Sequence, residues 1–272
     1  MLGSPIAHSL SPALHRAAYA ALGLDWDYQR HEVGAAGLAG FVAGCDDRWR
    51  GLSLTMPLKE AVLELGEVDP LAALVGAGNT LVFDAGGGRR VHNTDIDGLV
   101  GAIRAGGLTS VASAVVLGSG ATARSALASL AGFGCTTVTV LARTPANAEA
   151  LRPLAEALDL DLDVRPWDAA IPPSELLVAT TVAGAADDLA ESAAASAPAV
   201  FDVIYHPWPT RLAAVARARG RVVLNGLDLL VHQAVLQVAL MTGRSVDPAV
   251  LLAAGRAALS GRREGTGPRD TP

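Results

Sequence analysis

The sequence predicts a two-domain α/β fold, with a small N-terminal α/β unit followed by a doubly wound parallel sheet. The chain has 272 residues, and a single hydrophobic core usually stops growing near ~250 residues. Hydrophobic residues make up 51% of the chain, which is ample for a packed core. From Ala114 onwards, short apolar runs alternate with helical segments, a pattern typical of parallel strands buried on both faces.

The first hundred residues contain short strands and helices, which indicate the smaller α/β unit. Ser11-Pro12 begins a helix that stops at Gly23, because proline is well tolerated in the first helical turn. The other elements predicted here are a strand over 26–33, a helix near Leu38, a strand over 50–55, a helix near Val62 and a hairpin over 79–91.

The middle of the chain is more regular. A strand over 114–117 leads through a turn into a helix over 121–133, and another strand follows at 138–141. This alternation predicts a parallel, doubly wound sheet. Residues 260–272 are polar and contain Gly, Pro and Arg, so we expect a disordered tail. The later predicted elements are strands over 176–179, 199–203 and 222–224, and helices over 227–241 and 248–259.

Charge and composition exclude several classes of partner. The net charge is −6 and no Lys/Arg cluster is longer than a pair, which argues against nucleic acid. No apolar run reaches the ~20 residues that cross a bilayer, and we identify no targeting segment. Cys45 and Cys135 lie far apart, which favours a reducing cytoplasm. The six histidines lack ligand spacing, so we expect no metal.

One basic residue differs from all the others. The chain has 21 Lys and Arg residues, and Lys59 is the single lysine among them. A generic surface cation at this position could equally have been arginine. An amine can be brought to titrate near neutral pH by its surroundings, whereas a guanidinium stays charged. The composition therefore marks Lys59 as a candidate for proton chemistry.

A glycine-rich turn predicts a dinucleotide site. The run Gly118-Ser119-Gly120-Ala121-Thr122-Ala123 follows a strand, opens a helix and matches the Rossmann fingerprint, with alanine in its third glycine position. Glycine permits a tight turn and close backbone approach, and the N–H groups of the helix N-terminus bind pyrophosphate. We therefore expect the second domain to be a Rossmann-type dinucleotide-binding domain.

The end of the next strand indicates which dinucleotide binds. An acidic residue there binds the ribose 2′-hydroxyl of NAD, whereas a cation accepts the 2′-phosphate of NADP. The strand ends Leu141-Ala142-Arg143-Thr144, without a carboxylate. Arg143 offers a planar set of donors for a phosphate, and the Thr144 hydroxyl lies beside it. The sequence therefore predicts NADP as the cofactor.

Polar segments in the first hundred residues carry a resemblance to a known family. They are Ser4-Pro5-Ile6-Ala7-His8-Ser9-Leu10-Ser11-Pro12, Thr55-Met56-Pro57-Leu58-Lys59, Gly78-Asn79-Thr80 and Asn93-Thr94-Asp95-Ile96-Asp97-Gly98. Their order and spacing resemble the shikimate dehydrogenase family. The run Val231-His232-Gln233-Ala234 is similar to that family's late glutamine helix, so the resemblance covers nearly the whole chain.

The resemblance implies a role for each matching residue. Lys59 and Asp95 would be the catalytic pair, because the substrate hydroxyl must lose a proton as hydride leaves its carbon. Taken singly, Ser11 and Asp95 also suit helix caps and Asn79 suits a turn, so their joint order carries the argument. The implied substrate-binding residues are Ser9 and Ser11 for the carboxylate, and Thr55, Asn79, Asp95 and Gln233 for ring hydroxyls. The implied cofactor-binding residues in the later part of the chain are Tyr205, which matches the family's tyrosine after a sheet strand, and Gly226 and Leu229, which match positions lining the nicotinamide pocket.

The resemblance also implies an activity and a division of the chain. The activity is reversible reduction of 3-dehydroshikimate to shikimate by NADPH, a step toward chorismate and the aromatic amino acids. Residues 1–101 and 229–259 would form the substrate domain and residues 102–228 the NADP domain, with the active site between them. We expect a cytoplasmic enzyme with a small-molecule substrate, acting as a monomer or homodimer.

Some positions depart from the family pattern, and other functions stay open. Ala121, Ala142 and Asn147 differ on the cofactor side, so we expect weaker NADP selectivity than is usual. Only Met1-Leu2 precede Gly3, so we expect the natural start to lie upstream. The alternatives are a quinate/shikimate dehydrogenase using NAD, a non-catalytic dinucleotide sensor, and a two-domain dehydrogenase acting on folates or amino acids.

Overall fold

A computed structural model describes residues 1–264 and confirms the predicted two-part α/β fold. The strands are β1 (Leu2–Gly3), β2 (His31–Glu32), β3 (Gly51–Ser53), β4 (Glu67–Val68), β5 (Thr80–Phe83), β6 (Arg89–His92), β7 (Ser113–Leu117), β8 (Thr137–Ala142), β9 (Asp161–Pro166), β10 (Leu176–Ala179), β11 (Ala199–Asp202) and β12 (Val222–Asn225). The helices are α1 (Ser11–Ala21), α2 (Leu38–Ala43), α3 (Pro70–Val75), α4 (Thr94–Ala105), α5 (Ala121–Gly132), α6 (Pro145–Glu149), α7 (Arg152–Ala157), α8 (Ala190–Ser196), α9 (Arg211–Ala218), α10 (Gly226–Thr242) and α11 (Pro248–Glu264).

The N-terminal part contains a four-stranded sheet in the order β3-β5-β6-β4, with the parallel pair β1-β2 beside it. A single bridge between Leu2 and Leu54 connects the pair to this sheet. The predicted hairpin is confirmed, since β5 and β6 pair antiparallel from Thr80–His92 to Phe83–Arg89. The strands predicted over 26–33 and 50–55 are too long, because β1 and β5 offer hydrogen-bonding partners over only two and three residues.

The second part contains a six-stranded parallel sheet in the order β12-β11-β10-β7-β8-β9. The strand order reverses between β7 and β10, which gives this sheet the doubly wound Rossmann arrangement. Leu117 at the end of β7 pairs with Leu141 on one side and Ala179 on the other. The loops that follow these strands therefore meet at one edge, where such sheets bind their ligands.

Helices cover both faces of the six-stranded sheet. Val116 and Val140 face one apolar cluster, which includes Leu127 of α5. Leu117 and Leu141 face the other cluster, which contains the alanines of α8. Because both faces are buried, the central strands consist of almost continuous apolar residues, which is why their sequence pattern is clear.

Helices α4 and α10 connect the two sheets. The chain leaves the first sheet through α4 and returns from the last strand of the second sheet through α10. The two helices approach closely at Gly98, where a Cβ would lie 2.8 Å from Gln233 Cβ, and at Gly101, where it would lie 2.8 Å from His232 Nδ1. This contact holds residues of both helices close to the space between the sheets.

The last helix is longer than the sequence pattern predicts. Helix α11 extends to Glu264, five residues beyond the predicted end at Leu259, so the prediction of a disordered tail from residue 260 is wrong for residues 260–264. One glycine at 261 does not break a helix that continues into Arg and Glu, which are good helix formers. The rest of the predicted tail, 265–272, lies outside the described residues. Within residues 1–264, no helix has the length and apolar character needed to cross a membrane.

Candidate active site

Lys59 and Asp95 form an ion pair beside the first sheet. Lys59 Nζ donates to Asp95 Oδ2 at 2.6 Å, and the two side chains are 15% and 11% exposed. Lys59 lies in the loop that follows β3, and Asp95 is the second residue of α4. The structure thus brings the two residues of the predicted catalytic pair into direct contact.

Local contacts hold Lys59 in this place. The loop turns through a hydrogen bond from Leu58 N to Thr55 O at 2.8 Å, and Leu58 is fully buried beneath it. Gly78 N donates to Lys59 O at 2.7 Å. A Cβ on Gly78 would overlap Val91 Cγ1, so only glycine lets the backbone approach this closely.

The start of α4 fixes the position of Asp95. Asn93 is the N-cap of this helix, and its Oδ1 accepts a hydrogen bond from Asp95 N at 3.1 Å. Asn93 Nδ2 donates to Ala77 O at 2.9 Å and to Ser125 Oγ at 3.1 Å, so the cap is tied to both parts of the fold. A carboxylate in the first helical turn is also favoured by the helix dipole.

Asn79 connects Asp95 with its neighbours. Its Nδ2 donates to Asp95 Oδ1 at 2.9 Å. Its Oδ1 accepts from Thr94 N at 2.8 Å and from Thr80 Oγ1 at 2.8 Å. A backbone N–H can only donate, so the contact from Thr94 N orients the Asn79 amide with its nitrogen toward Asp95.

A cavity of about 110 Å³ opens onto this cluster. Of the predicted substrate-binding residues, Ser11, Thr55, Asn79 and Gln233 line it together with Lys59 and Asp95. Gln233 Oε1 lies 3.5 Å from Asn79 Nδ2 and 3.4 Å from Thr94 Oγ1. The walls therefore present hydroxyl, amide, amine and carboxylate groups, which suits a small polyhydroxy molecule.

Ser9 lies apart from this cavity. Its Oγ accepts a hydrogen bond from Ser11 N at 3.2 Å, just before α1. Ser9 instead lines a separate hollow of about 440 Å³ that also includes Arg16 and Arg30. The predicted contact of Ser9 with the substrate stays a prediction.

The predicted cofactor-binding residues in the later part of the chain reach the same cavity from the other part of the fold. Tyr205, Gly226 and Leu229 all line it. A Cβ on Gly226 would overlap Val203 O, which explains glycine at the first position of α10. The cavity is therefore lined both by residues predicted to bind the substrate and by residues predicted to bind the cofactor.

A buried carboxylate anchors the loop that carries Tyr205. Asp202 at the end of β11 accepts from Ile204 N at 3.1 Å and from Thr210 Oγ1 at 2.6 Å. Burial raises the pKa of the Asp202 carboxyl above its usual value, and these hydrogen bonds oppose that shift. The loop from Val203 to Thr210 is thus held at both ends by one side chain.

The fingerprint residues lie where β7 leads into α5. Gly118 has φ +110°, a conformation that favours glycine, and its N–H donates to Leu141 O at 2.9 Å. Ser119 and Gly120 follow, and no atom lies within 4 Å of the position that a Cβ on Gly120 would occupy. The fingerprint residues in the first turn of α5 are Ala121 and Thr122. The N–H groups of such a helix N-terminus are a type of site that binds pyrophosphate, and this contact stays a prediction for residues 118–122.

Arg143 and Thr144 immediately follow β8, next to the β7 loop. Both are exposed, and the Arg143 guanidinium makes no ion pair with any residue from 1 to 261, the part of the chain whose side chains the structure describes. The position at the end of the second strand of the sheet is where a dinucleotide places its ribose. Arg143 is exposed at this position, and its contact with a 2′-phosphate stays a prediction.

Several residues line the cavity without having been predicted from sequence, namely Met1, Ser53, Leu54, Val203, Leu230 and Gln237. Gln237 could have been found, because it follows Gln233 by four residues and therefore lies on the same face of a helix. The others carry no pattern that separates them from ordinary strand or helix residues.

Comparisons with known proteins agree with this geometry. A model of the shikimate dehydrogenase substrate binding domain matches residues 1–81. A curated shikimate dehydrogenase (NADP(+)) of Methylobacterium radiotolerans is 40% identical over 253 residues, covering 86% of this chain and 87% of that protein. The crystal structure of Mycobacterium tuberculosis shikimate dehydrogenase is 44% identical with a TM-score of 0.87, covering 94% of this chain and 97% of that one. The Thermus thermophilus shikimate 5-dehydrogenase in complex with NADP(H) and shikimate is 36% identical with a TM-score of 0.83, covering 94% and 97%.

Proposed function

Because the chain belongs to the shikimate dehydrogenase family, we propose that it catalyses the reversible reduction of 3-dehydroshikimate to shikimate with NADPH. This step leads toward chorismate and the aromatic amino acids. The observation that carries the proposal is the Lys59–Asp95 ion pair, at 2.6 Å, in a cavity that residues of both parts of the fold line. A proton-transferring pair in such a cavity is what an alcohol dehydrogenation without a metal requires.

The reaction needs a proton acceptor beside the substrate. When bound, NADP⁺ supplies the acceptor for the hydride that leaves the substrate carbon. The substrate hydroxyl loses its proton in the same reaction, and the Lys59–Asp95 pair takes it. The positive charge of Lys59 also stabilises the oxygen as negative charge develops on it. In the reverse direction the pair returns the proton to the new hydroxyl.

The remaining polar residues would orient the substrate. Asn79 and Gln233 would bind ring hydroxyls from one side, and Thr55 from the loop that carries Lys59. Ser11, buried at the start of α1, would bind the carboxylate together with Ser9. Hydroxyl and amide donors suit a neutral ring, and fixed donors of this kind lower the entropy cost of aligning the reacting carbon.

The second part of the fold would hold NADP. The turn of residues 118–120 and the first turn of α5 would bind the pyrophosphate, and Arg143 with Thr144 the 2′-phosphate. Tyr205, Gly226 and Leu229 would line the nicotinamide pocket. The absence of a carboxylate between 141 and 144 supports NADP over NAD.

We also propose a division of labour along the chain. Residues 1–101 and 229–259 would serve as the substrate domain and residues 102–228 as the NADP domain. The free thiols of Cys45 and Cys135 support a cytoplasmic protein, and we propose that it acts as a monomer or homodimer. Light scattering of the purified protein would measure the oligomeric state.

NADPH formation by the purified protein with shikimate tests the function. Parallel assays replace shikimate by quinate, and NADP by NAD. We expect turnover with shikimate and NADP that collapses in Lys59→Ala, while the exposed-site control Arg256→Ala keeps it. Faster turnover with quinate and NAD would instead make the protein a quinate/shikimate dehydrogenase.

A folded protein without any turnover would overturn the enzymatic proposal. If such a protein still bound NADP, a dinucleotide sensor would be the better description. Circular dichroism and an NADP titration therefore accompany each assay, so that loss of fold, loss of cofactor and loss of chemistry are read separately.

A further inference from the structure

A buried hydrogen-bonded network adjoins Asn79, and two of its members, Ser53 and Gln237, also line the cavity. Its central residue is Gln237 of α10, which is 1% exposed. The Gln237 amide has four partners, two at each end. The partners are Ser53 Oγ at 2.7 Å and His15 Nε2 at 3.1 Å for its oxygen, and Thr80 Oγ1 at 2.9 Å and Asn79 O at 3.3 Å for its nitrogen.

The orientation of the Gln237 amide follows from its partners. Asn79 O is a backbone carbonyl and can only accept, so the end of Gln237 that faces it must be the NH₂ group. The opposite end is then the oxygen, which accepts from Ser53 and His15. His15 is fully buried, and burial lowers its pKa to about 3, so the ring is neutral and its single N–H is at Nε2.

The same directionality continues toward the ion pair. Gln237 donates to Thr80 Oγ1, which leaves the Thr80 hydroxyl hydrogen for Asn79 Oδ1 at 2.8 Å or Thr94 Oγ1 at 3.4 Å, and the shorter contact favours Asn79. Asn79 Oδ1 is then occupied, and its nitrogen donates to Asp95 Oδ1 at 2.9 Å. Each group in the series from His15 to Asp95 has one consistent donor and acceptor assignment.

The outer end of the network is packed between buried aromatic rings. Tyr28 donates from its hydroxyl to Ser53 Oγ at 2.6 Å, and its ring stacks on His15 with centroids 4.0 Å apart. Both rings are buried. Helix α1, through His15, and strand β3, through Ser53, therefore hold the Gln237 amide from two sides.

We propose that Gln237 is a positioning residue for the reaction. It donates to the Thr80 hydroxyl and to the backbone carbonyl of Asn79, and thereby keeps the side-chain amide of Asn79 directed at Asp95 and the substrate. This inference rests on the proposed function. Gln237 lines the cavity but makes no hydrogen bond to Lys59 or Asp95. Its NH₂ group donates to Thr80 and Asn79, so we infer that its effect on the chemistry passes through these two residues.

The first test replaces Gln237 with two residues of similar size. Gln237→Met removes all four hydrogen bonds, and Gln237→Glu keeps the two acceptor contacts but cannot donate to Thr80 and Asn79 O. We expect kcat with shikimate to fall by about 10-fold to 100-fold in both variants. KM for NADP should stay within about twofold, because the network does not reach the cofactor side. Val238→Ala, at the fully buried next position of α10, is the control for lost stability and should keep kcat.

A double-mutant cycle separates positioning from a general structural role. In an Asn79→Ala background, Gln237→Met should have little further effect on kcat, because the group through which it acts is gone. Additive effects of the two changes would overturn the inference, as would wild-type kcat in a folded Gln237→Met protein. If Gln237→Met does not fold, Thr80→Val removes one link of the same series and should lower kcat in the same way.

A measurement without turnover distinguishes this inference from the function itself. The side-chain amide protons of Asn79, followed by NMR, should exchange with water faster in Gln237→Glu than in wild type. The wild-type protein could lack shikimate activity while its Asn79 amide protons still exchange more slowly than those of Gln237→Glu. That result would contradict the proposed function and support the positioning role. Unchanged exchange would remove the positioning role even from an active enzyme.

Discussion

At the scale of single residues, Lys59 is the clearest case of a residue type explained by its surroundings. The chain uses arginine for every other basic position, and the structure places its one lysine against Asp95, with little exposure. An ammonium group can release and regain a proton, whereas a guanidinium in a protein cannot. The composition and the ion pair therefore point to the same chemistry.

Replacing Lys59 with arginine separates charge from proton transfer. Lys59→Arg keeps a cation beside Asp95 but removes the titratable amine, so we expect kcat for shikimate oxidation to fall by about 10²–10⁴. Steady-state kinetics measure the fall, and NADP affinity should be unchanged. The exposed Arg16→Lys is the control. A variant that keeps kcat would assign the proton transfer to Asp95 alone.

Arg143 should govern the choice between the two dinucleotides. Arg143→Gln removes the cation beside the expected 2′-phosphate, and charge-assisted hydrogen bonds of this kind contribute about 1.5–3 kcal/mol. We expect KM for NADP to rise by about 10-fold or more while KM for NAD changes little. The control is Arg219→Gln. Arg219 is exposed at the C-terminal end of α9 and forms an ion pair with Glu191. An equal rise for both dinucleotides would place the 2′-phosphate elsewhere.

Sequence motifs locate some site residues and overlook others for a physical reason. Lys59, Asn79 and Asp95 lie in short polar segments between apolar elements, where a polar residue stands out. Gln237 lies inside a long helix and is buried by contacts from α1 and β3. Its spacing of four residues from Gln233 places it on the same helix face, but local sequence does not reveal its partners on α1 and β3. Ser53 is equally inconspicuous because it is one residue of a strand.

At the scale of elements, strands buried on both faces were the easiest to predict. The sequence interval 176–179 agrees with β10, because a continuous apolar run leaves little ambiguity. The interval 26–33 predicts a strand much longer than β2, since the length of a strand depends on the partner it finds. The edge strand β9, with exposed residues and two aspartates, gave no comparable apolar signal.

The start of α10 should tolerate no side chain at Gly226. A Cβ there would overlap Val203 O, so Gly226→Ala must displace backbone and should cost about 1–3 kcal/mol in the free energy of unfolding. Chemical denaturation measures the cost. We also expect lower kcat/KM for NADP, since Val203, Tyr205 and Leu229 share this corner of the cavity.

Gly132→Ala is the matched control for that change. Gly132 ends α5, and no atom lies within 4 Å of the position that its Cβ would take. Alanine is the better helix former, so this variant should gain up to about 1 kcal/mol without altering kinetics. Equal stability of the two glycine variants would contradict the close contact at Gly226.

At the scale of the whole molecule, the buried His15 makes stability depend on pH. Burial lowers its pKa from 6.5 to about 3, so the unfolded chain binds a proton that the folded protein does not. The stabilisation is fully present above pH 6.5 and is lost as the pH falls from there toward 3. Between pH 7 and pH 5 the loss from this one group is about 2 kcal/mol.

His15→Gln should remove this dependence. Denaturant unfolding measures the free energy of unfolding at pH 7 and at pH 5. The decrease between these two pH values should be about 2 kcal/mol smaller in the variant than in wild type, even though the variant is less stable at pH 7. The control is His206→Gln at an exposed position, and this variant should show the same decrease in the free energy of unfolding as the wild-type protein. An unchanged drop in His15→Gln would mean that His15 is not neutral in the folded state.

The overall architecture was predictable because alternation of strand and helix is a property of the chain as a whole. Five of the six parallel strands follow from it, all except β9, since parallel neighbours need a crossover between them. The pairing of β1 with β2, and the bridge from Leu2 to Leu54, were not predictable, because residues far apart in sequence decide them.

The close approach of α4 and α10 at Gly98 and Gly101 has a consequence for anyone building chimeras from this scaffold. Helix α4 carries Asp95 at one end and Ile103 in the apolar cluster of the six-stranded sheet at the other. Helix α10 likewise begins beside Val203 and reaches the site through Gln233. We therefore expect a chimera that joins the second part of this fold to the first part of another protein to function only if α4 and α10 are both taken from the same parent.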